Sequence, residues 1–415
     1  MIRRLRATYS AFPGQFWMIA FGVLVSSGGS SMVFPFQFIY ISRTLGLQLS
    51  TVATLITLSA GTGLVVSFLG GSLADRFGRK PVMFGAQAAF GVSWILMGLA
   101  RSYLGFLLPM AIMAAAQPIY AVGSDAMMAD MIPPDQRSTG YSILRMFSNT
   151  GFALGPAIGG FIVSRSYLLG FHCASAAMLT YSLFLMLFVR ETLGRRRQAG
   201  QGQVPALVSG RLGGYEHVLR DKGYMIFAAA VTVGMTAPLM MWTLLAVYTK
   251  QNFQFPEHLF SWLPMTNGLM CVFVQYAVTR FTRRHPPLSM LTLGMLIYAL
   301  GVGSVALMSG FWGFWSSMVI ISLGELVVAP TGTAYAANRA PADFRGRYMS
   351  VYWMTWGLGR ALAPLIGGFL NDKVSPHAVW YGGLIIGLSA TLGLFLLGRN
   401  RSLSAAGNVA AAQPI

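Results

Sequence analysis

Runs of about twenty apolar residues recur from one end of this chain to the other, separated by short polar or basic stretches. The runs are continuous and do not alternate apolar with polar positions, which argues against the strands of a membrane barrel. The pattern predicts helices over 14–41, 48–71, 80–100, 104–131, 138–164 and 168–190. A polar stretch follows over 191–221, rich in Arg, Gly and Gln, and six more helices are expected over 222–250, 257–280, 288–310, 312–337, 345–370 and 377–398. A bilayer offers no partner to a free backbone amide, so the reading is an all-α membrane protein with twelve spans. The expected layout is a six-helix bundle over 1–190, a linker loop over 191–221, a second six-helix bundle over 222–398 and a small polar tail over 399–415.

Composition agrees with the pattern. Of 415 residues, 55% are hydrophobic and only 10% are charged, against about 25% charged in a typical soluble protein. The mean hydropathy of +0.61 is too high for one core under a solvated surface. The first apolar run is too long for a cleavable signal and follows a basic arm, Arg3, Arg4 and Arg6. Cys173 and Cys271 both fall inside apolar runs, and no disulfide or metal framework is expected.

Charge sets the expected orientation. With both termini inside, the inner segments hold 22 Lys and Arg, and the outer loops hold Arg43, Arg101, Arg165, Lys250 and Lys373. This bias fits the positive-inside rule and predicts a multi-pass protein of the cell membrane with cytoplasmic termini. The net charge of +18 then faces anionic lipid, and no nucleic-acid partner is expected.

The two halves repeat. Residues 130–161 set over 338–369 give 13 identities in 32 positions, among them Pro156, Gly159, Gly160 and Phe161 over Pro364, Gly367, Gly368 and Phe369. Tyr40 falls on Tyr248 at the same offset. Two bundles with the same sense of insertion are the expectation from such a repeat.

Residues 70–83 read Gly-Gly-Ser-Leu-Ala-Asp-Arg-Phe-Gly-Arg-Lys-Pro-Val-Met. This stretch resembles the loop between the second and third spans of the major facilitator superfamily. The resemblance implies a monomeric transporter that moves small molecules by alternating access, with no bound cofactor and no metal. It gives Gly71, Asp75, Arg76, Gly78, Arg79 and Lys80 a gating role, with Asp75 docking near the start of the eleventh span. Asp130, at the inner end of the fourth span, is the expected partner of the loop cations. The second half has Thr279 where Asp75 would repeat. In the fifth span, Gly151, Gly155, Pro156, Gly159 and Gly160 are similar to the motif of the drug:proton antiporter branch. Glycines at these spacings also make a flat face onto which another helix packs closely.

Charged side chains inside spans are few, and each is a functional candidate because burial in lipid is costly. Glu325 lies near the middle of the tenth span, where Gln117 is its repeat mate in the fourth. The resemblance places the first, fourth, seventh and tenth spans around the pathway, with Glu325 binding protons or a cationic substrate. Arg360 lies at a similar depth. It is either a static ion-pair partner or one of several groups between which Glu325 switches. Asp125 and Arg145 are expected to pair across the fourth and fifth spans as a structural or gating pair, with substrate contact as the alternative and Asp125 a second proton-coupling candidate. Many drug transporters of the family have an arginine mid-way along the fourth span, and here Gln117-Pro118 stands instead.

Candidate substrate contacts are Gln37, Tyr40, Gln117, Tyr120, Asn149, Met240, Met241 and Trp242, each with lipid-facing or packing roles as the alternative. His172 and His377, near predicted helix starts, suit interfacial positions. An enzyme is not expected, since there is no nucleotide loop, metal cluster or nucleophile set. The reading is proton-coupled efflux of lipophilic or cationic small molecules. A narrower carrier for a sugar, metabolite or lipid-like substrate is the alternative.

Overall fold

A computed structural model describes residues 12–67, 76–133, 136–192, 215–341 and 344–400. The chain divides into two compact units, residues 1–45 with 58–209 and residues 46–57 with 210–415.

The helices of the first unit are α1 (Gly14–Leu45), α3 (Arg79–Leu99), α4 (Tyr103–Met131), α5 (Arg137–Arg165) and α6 (Tyr167–Phe188). The second part of α2 (Leu49–Ser67) joins them. Their ends follow local chemistry. Ser102 and Ser166 accept hydrogen bonds from the amides of Gly105 and Leu169, so each caps the helix that follows it. Gly46 (φ +63°) follows α1 in a conformation that suits glycine.

The second unit contains α7 (Lys222–Phe253), α8a (Trp262–Phe273), α8b (Gln275–Thr282), α9 (Pro287–Ser304), α10 (Phe311–Arg339), α11 (Arg345–Lys373) and α12 (Ala378–Arg399). Asp221 caps α7 by accepting from the Tyr224 amide. Gln254 (φ 52°) ends α7 in the left-handed region. The apolar run over 257–280, expected as one helix, is interrupted at Ser261 and Val274. A short helix, Tyr215–Arg220, lies within the stretch expected to be linker.

Among the described residues, nine helices are long and apolar enough to cross a membrane by length and composition. The interruption shortens α8a and α8b below that length, and α11 is made more polar by Arg347, Arg360, Asp372 and Lys373. Many large apolar side chains remain exposed on the helices, among them Leu108, Phe161, Leu187, Trp312 and Ile385. That surface is suited to hydrocarbon rather than to water.

The start of α2 is fastened to α11. The Asp372 carboxylate accepts from the Ser50 amide at 2.7 Å, at the amino end of α2. Thr57 donates to the Ala361 carbonyl at 2.9 Å. A carboxylate at a helix amino end is favoured by the helix dipole.

Candidate functional site

Glu325 sits half-buried in α10, one turn before Pro330. The Asn267 amide, from α8a, donates to its carboxylate at 2.9 Å and to Ser322 Oγ at 3.0 Å. Ser322 in turn donates to the Met318 carbonyl at 2.8 Å. A neutral amide therefore donates to a carboxylate within a span. Arg360 makes no ion pair with it, so the static-pair alternative is not what the structure holds. The Arg360 side chain is exposed instead.

The next residue along α10 is also fastened from α8. Proline has no amide hydrogen, so Pro330 leaves the Leu326 carbonyl without its helical partner. Gln275 Nε2, at the start of α8b, donates to that carbonyl at 3.0 Å. Two amides, one on each side of the interruption at Val274, thus bind adjacent residues of α10.

In the first unit, Gln117, Ala121 and Asp125 are all exposed and spaced by four, so they share one face of α4. The expected Asp125–Arg145 pair does not form among the described residues. The register explains it. Tyr141 of α5 reaches the Asp125 backbone carbonyl at 3.3 Å, so Tyr141 is level with Asp125. Arg145 is four residues further along α5, about 6 Å deeper into the span. Both charged side chains are exposed, and in a bilayer such groups turn to a water-filled cavity or the bundle interior.

Of the loop motif, Gly71 and Asp75 lie outside the described residues. Arg76 is exposed and stands over the Phe77 ring, 5.4 Å from its centroid. Gly78 has φ +100°, and a Cβ there would meet Glu191 Oε2 at 2.6 Å. The reason is a cap. Glu191, just past α6, accepts from the amides of Arg79 (3.2 Å) and Lys80 (3.0 Å) at the start of α3. Arg79 is buried and pairs with Asp130 at 3.4 Å, and Thr192 also donates to Asp130 at 3.0 Å. The ends of α3, α4 and α6 therefore meet in one polar cluster, in which the Arg79 and Asp130 side chains are buried and Glu191 is exposed.

The α5 glycines lie against α1. A Cβ at Gly151 would meet the Leu24 carbonyl at 2.6 Å, and one at Gly155 or Gly159 would overlap Ser31 or the Met32 backbone. Ser31 donates to the Gly151 carbonyl at 3.2 Å, and Ser27 and Ser148 share a hydrogen bond at 3.1 Å. Pro156 and Gly160 are buried in the same stretch. The repeat holds in the second unit, where Gly359 and Gly367 of α11 lie against Met235, Leu239 and Leu244 of α7.

The candidate pocket residues separate. Tyr40 donates to the Gly98 carbonyl at 3.1 Å, accepts from Arg101 and packs against Tyr167 and Phe171, so its side chain is engaged in structure. Tyr120 and Tyr181 hydroxyls share a hydrogen bond at 2.8 Å, and Gly22 leaves the room that Tyr181 fills. Met240 and Met241 are buried in the core of the second unit. Gln37, Asn149 and Trp242 are half-buried, and Gln117 is exposed.

The family model for the Major Facilitator Superfamily matches residues 19–364 and 239–413. The chain belongs to the Major Facilitator Superfamily. A Na(+), Li(+), K(+)/H(+) antiporter of Planococcus maritimus is 25% identical over 402 residues, with 88% of this chain and 90% of that protein covered. The quinolone resistance protein NorA of Staphylococcus aureus is 22% identical over 364 residues, covering 86% and 90%. A POT family transporter crystallised with 5-aminolevulinic acid has the same fold, with a TM-score of 0.76 at 17% identity over 94% of this chain and 96% of that one. These superfamily relatives and fold neighbours are transporters, and the chain is a multi-pass membrane transporter of small molecules rather than an enzyme.

Three groups of residues escaped the sequence reading of this superfamily member. Asn267 and Gln275 are polar positions inside an apolar run, and that is the one signal that could have marked them as candidates. Glu191 follows directly on an apolar helix, where an acid is free to turn back onto a neighbouring amino end. Asp221 and Arg339 are 118 residues apart and form a bidentate pair at 2.8 and 2.6 Å, with Tyr348 donating to the same carboxylate at 3.1 Å. Burial pushes the Asp221 carboxyl up. The hydrogen bonds from Arg339, from the Tyr224 amide and from Tyr348 outweigh that and hold it below the usual carboxylate range.

Proposed function

We propose that this protein is a proton-coupled exporter of lipophilic or cationic small molecules, working by alternating access, with Glu325 as the coupling carboxylate. The observation that carries the reading is the polar cage of Glu325. An ionised carboxylate in a span needs a donor, and Asn267 supplies one without cancelling the charge. Proton and cationic substrate can then compete for the same oxygens. A ligand that distinguishes the two faces of a transporter shifts the balance between its conformations.

Similarity to the antiporter of Planococcus maritimus supports antiport as the mode, and similarity to the quinolone resistance protein NorA supports a drug-like substrate. Within the first unit, the exposed Gln117–Asp125 face of α4 and the exposed Arg145 supply polar surface of the kind a watered pathway needs. The protein acts as a monomer in the cell membrane, and its Lys and Arg distribution supports both termini lying in the cytoplasm. In this reading Asp75, Arg79 and Asp130 belong to the gating machinery.

A second reading has a specific observation behind it. The Planococcus relative is named for exchange of Na(+), Li(+) and K(+) against protons. In that reading the oxygens of Glu325, Ser322 and Asn267 would take a bare monovalent cation. Efflux of a cationic dye from energised cells, with and without a protonophore, tests the leading reading. Wild type is expected to extrude dye only while the proton gradient stands, and Glu325→Gln, inserted normally, is expected to fail. If wild type moves no dye from a broad panel but exchanges sodium for protons, the second reading replaces the first.

A further inference from the structure

The short helix α8b is built the opposite way round from a helix of a soluble protein. Its Gln and Thr side chains turn inward. Gln275 bonds to Thr279 and to the Leu326 carbonyl, and buried Thr282 bonds to the Thr279 carbonyl. Its aromatic side chains turn outward. Phe273, just before α8b, and Tyr276 are each 76% exposed, and Phe281 is 54% exposed. Phe273, Tyr276 and Arg280 are spaced by three and four, which puts them in one line on the helix surface. Polar groups inside and aromatic rings outside are the arrangement for a helix wall that faces hydrocarbon.

This aromatic line runs into a cluster of cations. Arg280, Arg283 and Arg284 are all exposed. Among the described residues, none of the three has an acidic partner. Other exposed cations at helix ends are dispersed. Arg220 pairs with Glu216, and Arg399 stands over the Phe395 ring. Three unneutralised guanidiniums within five residues, next to an outward aromatic wall, make a surface with two adjoining chemistries. Guanidinium groups match phosphate in geometry and in charge.

We infer that the α8b wall and the turn after it form a docking surface for an anionic phospholipid. The phosphate lies among Arg280, Arg283 and Arg284, and an acyl chain lies along Phe273 and Tyr276. This inference does not rest on the transport reading, because lipid binding is measured without any substrate.

The test titrates phosphatidylglycerol or phosphatidylcholine into the purified full-length protein and counts bound lipid by native mass spectrometry. Wild type is expected to prefer phosphatidylglycerol. Replacing all three arginines by Gln should lower that preference by about fivefold for each arginine removed. Replacing them by Lys should keep most of it. A second triple variant, Arg190→Gln with Lys222→Gln and Arg399→Gln, changes three exposed cations elsewhere and should keep the wild-type preference. Each variant is first required to elute as a single monodisperse peak, which separates lost binding from lost folding. The inference is overturned if the Arg280, Arg283 and Arg284 variant keeps the preference, or if the other triple variant loses as much. It is also overturned if inorganic phosphate displaces the lipid completely, because the site would then bind a free anion.

Discussion

The Asn267 amide donates to the Glu325 carboxylate at 2.9 Å, and the same nitrogen lies 3.0 Å from Ser322 Oγ. One nitrogen therefore joins α8a to Glu325 of α10 and to the turn before it. A hydrogen bond to a charged group contributes about 1.5–3 kcal/mol. Asn267→Ala should slow transport by roughly ten- to a hundredfold on that basis, with membrane insertion intact. Substrate transport by purified variants in proteoliposomes checks this. Ser322→Ala keeps the amide and should have a smaller effect.

The Asp221–Arg339 pair makes a prediction about pH. Because the folded state holds the Asp221 carboxyl low, the pair contributes fully above the ordinary carboxylate value of 3.8. The contribution is lost as pH falls from there through the folded-state value. Removing one partner of a largely buried pair costs about 3–5 kcal/mol. Thermal unfolding of Asp221→Asn should therefore occur well below wild type at neutral pH. The gap should close as the pH is taken below 3.8. A gap that persisted unchanged into acid would show that the charge of Asp221 contributes nothing.

The α1–α5 contact makes a steric prediction. A Cβ at Gly159 would run into the Met32 backbone, which cannot move aside as a flexible side chain can. Gly159→Ala should lower the yield of folded protein sharply. Gly85 of α3 has nothing within 4 Å of the same added atom. Gly85→Ala should be tolerated, and is expected to stabilise by about 0.4–1 kcal/mol. Fluorescence-detected size exclusion of both variants provides the comparison.

The cap on α3 is the fourth case. Glu191→Ala removes the acceptor for the Arg79 and Lys80 amides, and losing a cap costs about 0.5–2 kcal/mol. Gly78→Ala should be worse than a cap loss, because it combines φ +100° with a clash against the Glu191 carboxylate. Thermal stability of the two variants in detergent orders them.

Much of the fold was legible because hydrocarbon imposes a simple code. Apolar runs marked α1, α4, α7 and α10 close to their observed ends. The interruption of α8 was not legible, since Val274 is an ordinary apolar residue, and the bonds that Asn267 and Gln275 make into α10 on either side of it carry no local sequence signal. At the site, Glu325 stood out by its cost in lipid, and Asp130 by its place at the end of α4. Asn267 did not stand out, because a neutral amide in a span is cheap enough to pass as packing. The Asp125–Arg145 pairing was misjudged because residue spacing gives no interhelical register. That register is set by contacts such as Tyr141 on the Asp125 carbonyl.

The central claim is that protonation of Glu325 drives transport, and proteoliposomes loaded with a pH-sensitive dye test it most directly. Substrate added against a proton gradient should produce proton movement in wild type and none in Glu325→Gln. Exchange of labelled for unlabelled substrate without a gradient, followed in parallel, monitors pathway integrity and should persist in the variant if a neutral side chain suffices there. Proton movement in Glu325→Gln equal to wild type would contradict the account and send the search for the coupling group to Asp125.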